Sequence, residues 1–251
     1  MSIRPTRRIA DALVILLGTQ IVLLVAEAFA LLYRIRLLGR VQAGGSITLA
    51  EADRADVLVI ASVWVWLLVF VGTGIVWCVW QYRAQRNAIE LASGGLKFTP
   101  GWAVGWWFVP LANLVKPFET VRELWKGSHG VAWRSLNTWR VIGWWWALWL
   151  AGSALEWGIR RSDTPTDISG FITQDLWRLA SLGLEMGSAV LAIAIVRSIV
   201  GLQEGVVVSP VPQMPGAVFG ALFGQPSMQS GVPSVSVSVS ATEQPQVPGA
   251  I

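Results

Sequence analysis

Glu27, Asp175, Arg178 and Glu185 are the residues of this chain best placed to do chemistry, because each interrupts a run that is otherwise apolar. A charge at the centre of a bilayer costs about 2.5–3.5 kcal/mol on insertion scales. A neighbouring Leu, Val or Ile returns only ~0.3–0.6 kcal/mol. Such charges must therefore turn towards other protein and find partners. Asp175, Arg178, Ser181, Glu185 and Ser188 recur at +3, +3, +4 and +3, which puts them along one face of a helix. Gln20 and Glu27 are seven apart and also share a face. Two chemistries fit this stripe. One is a polar pathway or small-ligand site between the two segments; the other is a buried ion pair, Arg178 with Glu27 or Glu185, that fixes helix register. Gly183 and Gly187 add a close-packing face beside Glu185.

A second cluster lies in residues 98–118, an apolar run broken by Pro100, Pro110 and Pro117. It contains Gly101 and Gly105, the indoles of Trp102, Trp106 and Trp107, and Asn113. The stretch between Lys97 and Lys116 is barely long enough to cross a hydrocarbon core about 30 Å thick. A proline-broken segment of that length is expected to re-enter the membrane or lie at its interface. Irregular backbone persists there only where protein or a wet cavity covers it. Asn113, near Pro110 and Pro117, is expected to satisfy backbone groups that the prolines set free. Together these residues form the motif most suited to an interaction.

The elements that must position both clusters are helices. Of 251 residues, 54% are hydrophobic and 14% charged, well below the ~25% charge of soluble domains; mean hydropathy is +0.56. The chain is therefore expected to be an all-α polytopic membrane protein. After a short N-terminus (1–8), four spans are expected at about 9–32, 57–80, 141–157 and 172–202, within a membrane domain of 9–204. The first is read as an uncleaved anchor despite Ala28-Phe29-Ala30, because its apolar run exceeds the ~7–15 residues of a secretory core. The second continues as a polar helix to Ser93, with Gly94-Gly95 as its C-cap. Between spans two and three sits the re-entrant or interfacial stretch 98–126. Its second half is amphipathic, with Leu114, Phe118, Val121 and Trp125 on one face. That helix either lies in the interface, apolar face down, or packs on the bundle ends. From 205 to 251, Pro, Gly, Ser, Gln and Val dominate, which predicts a disordered tail.

Charge settles the expected topology. With four spans and both termini cytoplasmic, twelve Lys and Arg lie inside and seven outside; if the Trp-rich motif crossed, the tally would become nine inside and ten outside. The positive-inside rule selects the first arrangement, in the plasma (inner) membrane. The sixteen Trp are expected mainly at headgroup level and in packing.

Enzyme signatures are missing. There is no phosphate loop, nucleophile elbow or metalloprotease helix. His129, the single histidine, sits in a polar stretch and is expected to be solvated, and Cys78 stands alone in a span. No cofactor, no metal and no nucleic acid are expected; the expected partners are the lipid bilayer and other membrane proteins or a second copy.

The run Gly101-Trp-Ala-Val-Gly-Trp-Trp-Phe-Val-Pro-Leu-Ala-Asn-Leu-Val-Lys-Pro-Phe118 is followed by Val121-Arg-Glu-Leu-Trp125 and preceded by Trp80-Gln-Tyr-Arg-Ala-Gln-Arg-Asn87. On these residues the chain resembles a bacterial membrane family of unknown function, domain-of-unknown-function family 4328, over roughly 57–202. The resemblance implies a multi-span bacterial membrane protein and supplies no activity, cofactor or catalytic residue. Two roles are left in competition: a non-enzymatic scaffold or accessory protein with a cytoplasmic-side interaction surface, and a small transporter or lipid-handling protein using the polar stripe.

Overall fold

The computed structural model describes residues 5–130, 137 and 139–208. All belong to the first of two units, Met1–Ser209. The expected tail lies outside the described residues, except that its first positions continue the last helix to Val208. Nothing in the sequence breaks that helix before Pro210, which disfavours the helical conformation at the residue preceding it.

Among the described residues the regular elements are all helical: α1 (Arg7–Gln42), α2 (Leu49–Leu91), α3 (Pro100–Gly105), 3-10 turns at Trp106–Phe108 and Ala112–Leu114, α4 (Lys116–Gly127), α5 (Arg140–Arg161) and α6 (Ile168–Val208). Three of them, α1, α2 and α6, are long and apolar enough to cross a membrane. The third expected span, 141–157, corresponds to α5, which falls outside that group. Its tryptophans explain the difference, since the indole N–H lowers their hydropathy although the ring is apolar.

The long helices overrun the expected spans. At the α1–α2 turn, Thr48 and Glu51 form a capping box: Thr48 Oγ1 accepts from the Glu51 N–H at 3.2 Å, and Glu51 Oε2 accepts from the Thr48 N–H at 2.9 Å. That satisfies two orphan donors and lets α2 begin eight residues before position 57. Its C-terminus comes where the sequence places it: Ser93, Gly94 and Gly95 have φ values of 54°, 83° and 81°, which favour glycine.

α1 runs between α2 and α6, and α5 packs along α6. A large core joins Leu13 and Leu17 of α1, Trp77, Trp80 and Ala84 of α2, Val121 and Leu124 of α4, Ile142 and Trp145 of α5, and Ile195 and Ile199 of α6. A smaller one, Leu24, Leu31 and Leu182 with Trp66 against them, flanks Glu27. α2 leaves Ile60, Trp64, Leu68, Val71 and Ile75 exposed, the apolar surface a lipid-facing helix presents.

The amphipathic helix follows the second expectation, since α4 packs on the bundle. Val121 and Leu124 are fully buried, with Phe118 and Trp125 packed beside them, whereas Leu114 stays exposed. At Gly127 a Cβ would lie 2.8 Å from Leu96 Cδ1 and 3.3 Å from Ala88 Cβ, so glycine permits the close approach of α4 to α2.

Candidate functional site

The first site is the charge cluster between α1, α5 and α6. Glu27 is 1% exposed, and its Oε1 accepts from Arg178 Nε at 2.8 Å. The same guanidinium pairs with Glu156 and reaches Glu185 Oε1 at 3.4 Å. The Ser181 hydroxyl donates to Glu156 Oε1 at 2.6 Å. Of the two pairings the sequence left open, Arg178 makes both and adds a third. Glu156, on the last turns of α5, was not anticipated; its place between Leu155 and Trp157 was the available signal.

Asp175 belongs to a neighbouring pair. Arg34 of α1 donates from Nε to Asp175 Oδ2 at 2.8 Å and approaches Asp56 Oδ1 of α2 at 3.7 Å. Gln20 donates to Thr73 Oγ1 at 2.9 Å. Gln20, Glu27 and Arg34 thus stack at seven-residue intervals on α1, each meeting a polar partner on α2 or α6. Of the two stripe glycines, only Gly187 is crowded: a Cβ there would lie 3.1 Å from Leu148 Cδ1, while Gly183 has open space. The close approach beside Glu185 comes from α5, where a Cβ on Gly152 would stand 3.6 Å from Glu185 Cγ.

The second site is the proline-broken motif. Pro100 occupies the first turn of α3 behind Thr99, and Pro117 the first turn of α4, positions where the missing N–H is no loss. Pro110 sits at the tip, before Leu111 with φ 62°, a left-handed conformation unfavourable for a branched side chain. Phe108 and Leu111 are 73% and 81% exposed. Gly101 has open space around it, and Gly105 lies against the Trp102 ring. Trp102 and Trp106 pair with ring centroids 4.8 Å apart.

Two glutamines of α2 hold the motif. Gln81 Oε1 accepts from Trp77 at 2.9 Å and Trp107 at 2.8 Å, while its amide donates to the Ala103 carbonyl and Thr120 Oγ1, each at 3.1 Å. One turn on, Gln85 donates to the Phe98 carbonyl at 3.0 Å. Glu123 of α4 accepts from the Lys97 and Phe98 N–H groups, each at 2.9 Å. Backbone groups of residues 97, 98 and 103 are thus served by Gln81, Gln85 and Glu123. Asn113 is half-buried and contributes its backbone N–H, 2.9 Å from the Val109 carbonyl. Trp107 lies among Trp77, Trp145, Trp146 and Trp149, at centroid distances of 5.8–6.4 Å, so these indoles form packing rather than a headgroup belt. Lys116 donates to Glu119 at 2.8 Å, and that bond holds the Glu119 carboxyl below its ordinary range.

His129, expected to be solvated, is half-buried. Its ring lies 4.4 Å from that of Trp125, with Nδ1 2.9 Å from the Trp125 carbonyl. Gln203, also unanticipated, donates to the Ala84 carbonyl and Ser128 Oγ, each at 3.0 Å, and ties α6 to α2 and α4.

Compared with known proteins, residues 43–201 match the family described as Domain of unknown function (DUF4328). No curated protein and no solved structure matches the chain.

Proposed function

The chain belongs to this family, whose description names no activity, and from that premise we propose a non-enzymatic membrane scaffold or accessory protein. It crosses the bilayer four times, with both ends and its interaction surface on the cytoplasmic side. α5 is the third of these spans: its 22 residues rise about 33 Å, and Val141 to Leu155 carry no charge. The Trp/Pro motif enters and leaves on one side. In support, Phe98 and Thr120 at its two ends both bond to the Gln81–Gln85 turn of α2.

One observation carries the scaffold over the transporter: Glu27 and Glu185 close on Arg178, as a register-fixing ion cluster does. A rigid platform is what the clamped motif and α4 provide. Lys97, Arg122 and Lys126 give its outer surface a basic character suited to an acidic segment of another membrane protein or of a second copy. Replacement of Lys126 by a photoreactive residue, with irradiation of native membranes, tests this. A discrete protein adduct that disappears when Lys97 and Arg122 are changed to Glu is the expected result. Adducts with lipid alone would overturn the proposal.

A further inference from the structure

The cluster between α1, α5 and α6 has more carboxyl groups than positive charge. One guanidinium, Arg178, faces Glu27, Glu156 and Glu185. Arg160 approaches Glu156 Oε2 at 3.8 Å, but its side chain is 76% exposed and water screens what it offers. The other charges facing the cluster are already committed. Arg34 of α1 is held by Asp175 of α6 and Asp56 of α2, a ladder that closes on itself. What α2 packs against Leu24, Leu31 and Leu182 is apolar, Val59 and Trp66.

Two carboxyl oxygens of the cluster, Glu27 Oε2 and Glu185 Oε2, are buried without a hydrogen-bond partner among the described residues. An ionised oxygen left bare in a medium of low dielectric is strongly disfavoured, and a group in that position takes up a proton instead. A metal ion does not fill the role: among the described residues no three His, Cys, Asp or Glu side chains are placed to hold one, and Arg178 occupies the point where the carboxylates converge.

We propose that this cluster is a proton-binding site in which Glu185 carries an exchangeable proton while Glu27 and Glu156 hold the Arg178 guanidinium. Glu185 is the member with least support for a negative charge. Its contact to Arg178 is the longest, 3.4 Å, against 2.8 Å for Glu27, and Glu156 has the Ser181 hydroxyl besides. Uptake forms one O–H bond on Glu185 Oε2 and takes the formal charge of Arg178 with its three carboxyls from −2 to −1. Glu156, in contact with exposed Arg160, is the edge through which the proton exchanges with the surface. The proton site shares the Arg178 contacts that favour the scaffold reading, but its test has no readout in common with the cross-linking above.

Infrared spectroscopy of the full chain in lipid nanodiscs, titrated in water and in heavy water, reads the proton directly. At neutral pH a protonated-carboxyl C=O band is expected, shifted by deuterium and lost as pH rises. Glu185→Gln should abolish that band. A neutral-pH spectrum without it overturns the proposal, as does an undiminished band in folded Glu185→Gln. Should that variant not fold, Glu185→Asp, which moves the carboxyl by one methylene, must shift the midpoint of the titration; an unmoved midpoint overturns the assignment to Glu185.

Discussion

The indole N–H of Trp107 ends on the side-chain oxygen of Gln81, 2.8 Å away. The same oxygen already accepts from Trp77, and both amide hydrogens of Gln81 are given to Ala103 and Thr120. One fully buried amide thus uses all four of its hydrogen-bonding positions to hold a loop of irregular backbone against α2.

Gln81→Leu should therefore destabilise the protein by about 3 kcal/mol or more, because it strands two indole donors and a carbonyl in the core. Thermal unfolding in detergent measures this. A variant as stable as wild type would mean that the motif is held by indole packing alone.

Arg178→Leu leaves buried carboxylates uncompensated and should cost about 3–5 kcal/mol. Glu27→Gln in the same chain should restore part of the loss, since Glu27 makes the 2.8 Å contact. Losses that add in full in this double-mutant cycle would show that the two residues are not coupled. As a single change, Glu185→Gln should be milder than Glu27→Gln.

Leu111 holds φ 62° with its side chain 81% exposed. Leu111→Gly should raise stability by up to about 1 kcal/mol, since glycine adopts this conformation without strain and the leucine packs on little. A lowered melting temperature would place that side chain in a contact with something outside the chain.

Single cysteines at Lys97 and Asn137, both exposed, should share one side of the membrane when Cys78 is replaced. In intact expressing cells neither should react with an impermeant thiol reagent, and both should react after lysis. A cysteine at exposed Ala43 should label from outside. Labelling of Asn137 from outside with Lys97 protected would show that the motif crosses.

The helices and the polar stripe were legible because a 3.6-residue period survives in the sequence of each element separately. Arg178 announced itself as a buried cation needing carboxylates, and the sequence named two of the three, Glu185 on its own stripe and Glu27 on the first helix. Glu156 and Arg34 were hidden for another reason. Each lies near the expected end of an apolar run, where a charge reads as solvated, and only the extra turns of α1 and the packing of α5 on α6 bring it inside. Gln81 and Gln85 looked like the polar exit of a membrane helix. Their i, i+4 spacing puts them on one face, but nothing local says that a loop some twenty residues later would fold back to use them. The motif itself was visible from its prolines; the clamp on it is a tertiary fact.

α2 runs without a proline from Leu49 to Leu91, and it meets Arg34 near one end and the Gln81–Gln85 clamp near the other. A continuous hydrogen-bonded helix of that length is mechanically a stiff rod about 65 Å long. A twist or tilt imposed on the clamp would be carried along its axis to Asp56, with Gly72 and Gly74 as the points of least torsional resistance. The two ends of α2 are in this way geared to each other through one helix, and a load on the motif would be felt at the far ion ladder.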